Sequence, residues 1–364
     1  MSAGEPSGDV HGARLVRALR ERWPDAAIDA VGGPAMRAAG ATIRFPMERL
    51  SALGIVEVLG KAPAHVRLLR ELRRDFAAGR YDLLLPIDYP GFHLRLAEAA
   101  RARGLKVLYY IAPQLWAWRP ERAKRLARAV DRMAVILPFE EAFFRGMGID
   151  AVFVGHPLVD RGPWPGRAEA RRALGIGEGE RVLGIFPGSR REEVHRLWGP
   201  FRDAARLMLD EGRCDRAVVA GTPAGSYPDA GPVEVLCGDP VPVFAAADAV
   251  LAKSGTTTLE AALADAPMVV AYQVHPLTHW VARRLATVRW ISLVNLVAER
   301  EVVPELLQEN VTAERLAAEL RPLLDPADPR TIAQREGLRQ VRERLGTAGA
   351  ASRVAAFAAE LMGR

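Results

Sequence analysis

The residues that could do chemistry fall in three short stretches. In the first, Leu83-Leu84-Leu85-Pro86-Ile87 is an apolar run that stops at Asp88, followed by Tyr89, Pro90 and Gly91. The run reads as a strand buried on both faces and the Pro-Gly pair as a turn, so Asp88 stands where a parallel strand empties into its loop. Ligands bind at that edge of open α/β sheets. Two plainer roles are open to the same carboxylate: capping a helix that starts near Phe92, or simply ending the strand. The second stretch, Phe186-Pro187-Gly188-Ser189-Arg190, follows a strand and opens a helix. Gly188 lets backbone approach a ligand, Ser189 can donate, and Arg190 can grip phosphate oxygens in a bidentate way. The third, Lys253-Ser254-Gly255-Thr256-Thr257-Thr258-Leu259-Glu260, repeats the strand-turn-helix design with four hydroxyls and one glycine. Such a helix N-terminus suits a diphosphate without a cation. Glu260, one turn further on, suits the two hydroxyls of a ribose. Either turn alone reads equally as a plain connection, but two in one half of the chain favour a nucleoside diphosphate.

Absent motifs sharpen that reading. The chain has no GxxxxGK[ST], no complete GxGxxG and no Asp-x-Asp pair. ATP hydrolysis, a Rossmann NAD site and a metal-dependent sugar-nucleotide transferase are all weakened. What remains is a metal-free diphosphate site in one half and an acid at a strand end in the other. Pro113-Gln114-Leu115-Trp116-Ala117-Trp118-Arg119 places two Trp and an Arg just past a strand. They suit stacking on a sugar, packing on lipid, or an interdomain core. Basic helices carrying Arg67, Arg70, Arg73 and Arg74, and spanning Arg119 to Arg128, could attract anionic lipid or nucleic acid, or be solvated faces. His275 and His279 are spaced as HxxxH but lack the acid of a zinc protease, and no GxSxG elbow supports a Ser/His/Asp triad. Cys214 and Cys237 have no CxxC partner, so neither a disulfide frame nor a zinc site is expected.

The elements that must position these residues follow from length and pattern. A chain of 364 residues calls for two domains. With 49% hydrophobic and 26% charged residues the composition is that of a soluble protein. No apolar run approaches the ~18 residues of a membrane span, and no signal peptide is recognisable, so a cytoplasmic location is expected. The net charge of +6 and pI near 9.7 call for an anionic partner, yet no nucleic-acid module is present in the sequence.

Residues 2–9 read as a small-residue loop before a helix from about Val10 to Arg22. The strand that should precede this loop is missing at Met1, which would expose a sheet edge. Strands follow at 28–31, 83–87, 105–110 and 133–136, with helices at 34–39, 63–78, 92–103 and 119–128. Residues 155–166, rich in Pro and Gly, read as a hinge. Alternation then restarts with strands at 182–186, 217–220, 233–236, 249–251 and 268–272, helices at 193–209 and 256–264, and a helical tail from Thr312 broken by prolines. This βαβ rhythm predicts an α/β chain of two doubly wound, Rossmann-like domains facing across a cleft. They would span 1–160 and 161–364, with the last helices free to pack back on the first domain.

Several blocks, taken in order, resemble one family over nearly the whole chain. They are Ser2 to Asp9; Met47-Glu48 with Gly54 to Val58; Gln114 to Arg119; Pro187-Gly188-Ser189-Arg190; Ser254-Gly255-Thr256 with Leu259-Glu260; and Asn295 with Arg300 to Gln308. Together they look like lipid-A-disaccharide synthases. The resemblance implies a metal-independent, cofactor-free, inverting glycosyltransferase of the GT-B fold, peripheral on the cytoplasmic face of the inner membrane. It implies transfer of 2,3-diacylglucosamine from UDP-2,3-diacylglucosamine to 2,3-diacylglucosamine 1-phosphate, with no nucleic-acid partner and a homodimer left open. By the same matches Asp88 is the base and Arg190 steadies the nucleotide phosphates. Gly188, Ser189, Ser254, Gly255, Thr256 and Glu260 bind UDP. Glu5, Ser7, Gly8, Trp118, Arg119, Asn295 and Glu301 are weaker assignments to the donor or acceptor sugar. Gly91 and His93 stand where the family usually has a second Asp and an Asn, and Lys253 where a small residue is usual. The alternative is another GT-B enzyme acting on UDP-GlcNAc, a transferase to a different lipid or an epimerase.

Overall fold

The structure, a computed structural model, describes residues 1–49, 55–118, 120–162, 164–275 and 287–363, with backbone alone for Arg49 and 55–62. The chain forms two compact units, Met1–Asp160 with Gly346–Arg364, and Arg161–Leu345. The first holds β1 (Ser2–Ala3), α1 (Pro6–Arg22), β2 (Asp29–Gly32), α2 (Pro34–Ala38), β3 (Thr42–Pro46), α3 (Ile55–Ala77), β4 (Leu83–Leu84), β5 (Pro86–Ile87), α4 (Pro90–Arg101), β6 (Lys106–Tyr110), α5 (Ala123–Ala127), β7 (Arg132–Val135), α6 (Pro138–Gly146) and β8 (Ala151–Phe153). Its parallel strands run in the order β3-β2-β1-β5-β6-β7-β8, with β4 paired to β6.

The second unit holds α7 (Arg167–Ala173), β9 (Val182–Phe186), α8 (Arg191–Asp210), β10 (Arg216–Gly221), β11 (Glu234–Cys237), α9 (Val241–Ala246), β12 (Ala249–Lys253), α10 (Thr256–Leu263), β13 (Met268–Tyr272), α11 (Leu293–Ala298), β14 (Glu305–Leu307), α12 (Ala313–Leu323) and α13 (Pro329–Arg344). Its strands, again parallel, run β11-β10-β9-β12-β13-β14. The last helix, α14 (Ala350–Met362), belongs to the first unit, where Val354, Ala355 and Ala358 join Leu15 and Leu19 in the core. Both sheets are doubly wound, as the βαβ rhythm predicts. In each, strand order reverses beside the first strand, between β1 and β5 and between β9 and β12. Those switch points are where open sheets bind ligands.

Three local expectations are corrected. The strand thought missing at the N-terminus is present as Ser2–Ala3, and it lies inside the sheet, paired to both β2 and β5. The Met1 amino group anchors it by donating to the Asp29 carbonyl at 2.7 Å. The first helix starts at Pro6, so Ser7, Gly8 and Asp9 form its first turn instead of a loop; proline at the first helical position has its φ already set. The strand at 83–87 is split in two around Leu85, because Pro86 has no N–H to give to a ladder.

Asp9 fastens the entry to the sheet. Its buried carboxylate accepts from the N–H groups of Gly33 (2.7 Å), Ala35 (2.8 Å) and Met36 (3.2 Å), capping α2 from another helix. A Cβ on Gly33 would come within 2.7 Å of that carboxylate, so the approach requires glycine. Asp9→Ala strands these donors in the interior and should lower unfolding free energy by roughly 2–4 kcal/mol. Asp9→Asn, which keeps one acceptor, should lose less. Urea unfolding checks this, and an unchanged midpoint for the Ala variant would contradict it.

Candidate active site

Asp88 follows β5 at the switch point of the first unit. Asp88 and Tyr89 both have left-handed backbones, with φ of 51° and 53°. Each costs about 1 kcal/mol or more for a residue with a side chain, so the surroundings must hold them. They do so through the two peptides that flank Asp88. The Asp88 N–H donates to the Tyr110 carbonyl at 3.1 Å. The Asp88 carbonyl accepts from the Tyr109 hydroxyl at 2.7 Å and from His93 Nδ1 at 2.5 Å. A carbonyl only accepts, so the imidazole proton sits on Nδ1, and Nε2 accepts from the Ser2 hydroxyl at 2.8 Å. His93 is fully buried, and burial pushes its pKa down to about 4, keeping the ring neutral. The Tyr89 ring lies on Gly4, where a Cβ would come within 2.4 Å of it, and its hydroxyl meets His65 Nε2 at 2.9 Å.

The Asp88 carboxyl is thereby held in a partly closed place. Burial pushes its pKa up, the Tyr89 N–H pulls it back, and the nearby Glu5 pushes it up further. The structure thus brings Glu5 and Asp88 into one electrostatic neighbourhood. Of the plainer roles for Asp88, capping α4 is not taken, since the capping position belongs to Tyr89 and has no side-chain cap. Gly8 packs on Ala3, with its Cβ position 3.1 Å from the Ala3 side chain, while Ser7 is exposed.

The two Trp divide their roles. Trp116 is buried and its indole donates to Glu140 Oε1 at 2.9 Å. The other Glu140 oxygen accepts from the N–H groups of Leu137 (3.0 Å) and Ile136 (3.2 Å). Burial pushes the Glu140 carboxyl up to about 7 despite those donors. Trp118, by contrast, is 47% exposed. Arg119 lies outside the described residues, as do Gly54 and His279. The expected basic helix at 119–128 is a 3-10 turn at Pro120–Arg122 followed by the short α5, because Pro120 breaks its start. Arg125 is committed to Glu98 through two nitrogens, whereas Arg122, Lys124 and Arg128 are exposed, like Arg67, Arg70, Arg73 and Arg74 on α3.

The second unit places the two anion-suited turns side by side, because β9 and β12 are neighbours with Phe186 opposite Ala252. Phe186 is backed by a stacked Phe244 at 3.7 Å. Gly188 and Gly255 have φ of 130° and 148°, backbone that a side chain would strain. Glu193, in the first turn of α8, accepts from the N–H groups of Ser189 (3.1 Å) and Arg190 (3.3 Å), and its other oxygen faces Lys253 Nζ at 3.0 Å. Burial raises the Glu193 pKa, but Lys253 and the N–H groups outweigh it and hold the carboxyl below its ordinary range.

Of the hydroxyls in the second turn, Ser254 donates to the Ile291 carbonyl at 2.7 Å and Thr258 to the Gly255 carbonyl at 2.8 Å, leaving Thr256 exposed. Glu260 is gripped by Arg161, which donates at 2.6 Å and reaches Asp239 at 2.9 Å with its other arm. Burial pushes the Glu260 carboxyl up and Arg161 opposes it.

Asn295 is fully buried. Its amide donates to the Val303 carbonyl (2.9 Å) and Glu305 (2.8 Å) and accepts from the N–H groups of Val302 (2.7 Å) and Val303 (3.0 Å). Every polar valence is used, so the structure makes it scaffold and corrects its reading as a sugar contact. Glu305 passes the support on by accepting from the N–H groups of Ile291 and Ser292, both at 2.9 Å, beside the carbonyl that holds Ser254. Glu301 is exposed. Sequence reasoning missed Glu140, Arg161, Glu193 and Glu305. For Glu193 a signal existed, since a Glu three residues after the cap is capping-box spacing. Among the described residues no group of three His, Cys, Asp or Glu is placed to hold a metal.

Two parallel doubly wound units with ligand-suited switch points define the GT-B class of sugar-nucleotide enzymes. Among solved structures, the chain is similar to a putative UDP-N-acetylglucosamine 2-epimerase from Listeria monocytogenes (TM-score 0.67, 13% identity, 100% of this chain and 96% of that one). It is also similar to MurG of Acinetobacter baumannii (TM-score 0.61, 14% identity, 98% and 97%). At such identities the likeness is one of fold. The family model for lipid-A-disaccharide synthetase matches residues 1–359. The lipid-A-disaccharide synthase of Geobacter metallireducens is 42% identical over 372 residues, covering 100% of this chain and 96% of the relative. The chain belongs to the lipid-A-disaccharide synthase family, and it is a glycosyltransferase of lipid A biosynthesis.

If His93 holds the Asp88 turn, His93→Ala should lower kcat at least about tenfold, the equivalent of one lost positioning hydrogen bond. His93→Asn, whose amide N–H reaches the same carbonyl, should keep most of the activity. Steady-state rates on variants with native circular dichroism check this, and a wild-type kcat for His93→Ala would contradict it.

Proposed function

We propose that the chain transfers 2,3-diacylglucosamine from UDP-2,3-diacylglucosamine to the 6-hydroxyl of 2,3-diacylglucosamine 1-phosphate, with inversion, releasing a β-1,6-linked lipid A disaccharide 1-phosphate and UDP. The observation that carries this reading is the Asp88 carboxyl, desolvated and fixed at the switch point of the first unit. Inversion is a direct displacement: the acceptor oxygen attacks the anomeric carbon as the bond to UDP breaks. Asp88 takes the hydroxyl proton, and a base with a raised pKa does so more readily. The electron pair of the broken bond stays on UDP. Without a metal its charge falls to Arg190, the N–H groups of the Gly188 and Gly255 turns, and their helix N-termini. Glu260 accepts from the ribose hydroxyls. A solved protein of this fold named for a UDP-sugar supports the choice of nucleotide.

The acyl chains bring the enzyme to the cytoplasmic face of the inner membrane. Among the described residues no helix is long and apolar enough to cross a bilayer, and the attachment we propose is peripheral. Exposed Arg67, Arg70, Arg73, Arg74, Arg122, Lys124 and Arg128 face anionic headgroups, each worth about 1 kcal/mol near such a surface, and Trp118 sits at the interface. An epimerase reading rests on the first structural likeness, which is one of fold alone.

UDP release from UDP-2,3-diacylglucosamine separates the two. We expect it to require 2,3-diacylglucosamine 1-phosphate. Its kcat/KM should also fall as pH drops through a value above the ordinary carboxylate range, because only ionised Asp88 accepts the proton. Equal release without acceptor would contradict the transferase, and an acid limb in the ordinary carboxylate range would contradict the desolvated base.

A further inference from the structure

The pair Lys253–Glu193 is not explained by helix capping. Glu193 reaches back to the N–H groups of Ser189 and Arg190 with one oxygen, as a residue in a first helical turn does. Its other oxygen meets the ammonium of Lys253, on the next strand, at 3.0 Å, with the two side chains 19% and 20% exposed. That ammonium stands over the second turn as well. A Cβ on Gly255 would lie 3.4 Å from it, and the Tyr272 ring is 5.8 Å away. Two N–H groups and an ammonium thus converge on one anionic group between the Gly188 and Gly255 turns. This is how a phosphate oxygen is held, and the anion now seated there is the chain's own carboxylate.

We propose that Lys253 is a leaving-group residue. The donor diphosphate displaces Glu193 from Lys253 and from the Ser189 and Arg190 N–H groups, and the freed ammonium contacts the phosphate. When the bond from the anomeric carbon to the phosphate oxygen breaks, its electron pair stays on UDP and Lys253 meets that charge. The acceptor oxygen forms the new bond and its proton passes to Asp88. Glu193 keeps the ammonium aimed and solvated until donor arrives, and the N–H groups it leaves are taken by phosphate oxygens. The inference rests on the UDP reading above and assigns the diphosphate a second cation beside Arg190.

Titration calorimetry of UDP and of uridine tests it on the full chain. Lys253→Met should weaken UDP about tenfold and lower kcat, while Lys253→Arg restores both. Glu193→Gln should tighten UDP about threefold, because a neutral amide competes less well than a carboxylate for the same donors. Uridine, which has no phosphate, should bind all variants alike. A purely structural ion pair predicts otherwise. Lys253→Met and Glu193→Gln would then weaken UDP together, or neither would change it, and either result overturns the proposal. Wild-type chain that binds uridine but gains nothing from the diphosphate would overturn it too, and the UDP reading with it. Opposite signs for the two variants uphold it.

Discussion

The peptide between Asp88 and Tyr89 is the constraint on which the first unit's chemistry depends. Two successive residues with side chains adopt left-handed backbone, and the cost is met by donors drawn from separate parts of the chain. His93 comes from α4, Tyr109 from β6, and His93 is itself held by Ser2 of β1. The hydrogen bonds end on the Asp88 carbonyl, so the carboxylate is aimed without being used up in its own support. Burial of His93 matters as much as its reach. A charged ring would carry its charge into a desolvated interior, whereas the neutral ring donates from Nδ1 and accepts at Nε2.

The second unit gathers its anion-suited groups on two turns. Its two anion-suited turns come from neighbouring strands, and each bends at a glycine with positive φ. Behind them is a relay of buried and half-buried polar groups. Asn295 fixes Val302 and Val303, Glu305 fixes Ile291 and Ser292, and Ile291 fixes Ser254. The family-like block around residues 300–308 therefore reaches the Ser254–Gly255 turn through a chain of supporting hydrogen bonds. In the same way Arg161 fixes Glu260 from 99 positions away in sequence.

What was legible in the sequence was local. Val182–Phe186 and Met268–Tyr272 are short apolar runs bounded by turn residues, and the structure gives them those bounds. The three chemical stretches were legible as strand-to-turn transitions for the same reason. Elements without a clean pattern were not. β3 (Thr-Ile-Arg-Phe-Pro) is a half-exposed edge strand carrying Arg and Pro, and α7 (Arg167–Ala173) has only Ala170 and Arg171 buried. The helices Val241–Ala246 and Leu293–Ala298 are brief apolar runs that period alone cannot tell from strands. Nor could the ties be read. His93 reaches Ser2 across 91 positions and Arg161 reaches Glu260 across 99, pairings that exist only once the sheets are wound.

The proposed division of labour puts proton removal in one unit and hold on the diphosphate in the other. It is tested most directly by measuring UDP affinity and kcat together in Asp88→Asn and Arg190→Met. Asp88→Asn should bind UDP with the wild-type Kd and turn over at least about a hundredfold more slowly, whereas Arg190→Met should lose about tenfold or more in UDP affinity. Loss of UDP affinity in Asp88→Asn matching its loss of turnover, or wild-type UDP binding by Arg190→Met, would contradict it.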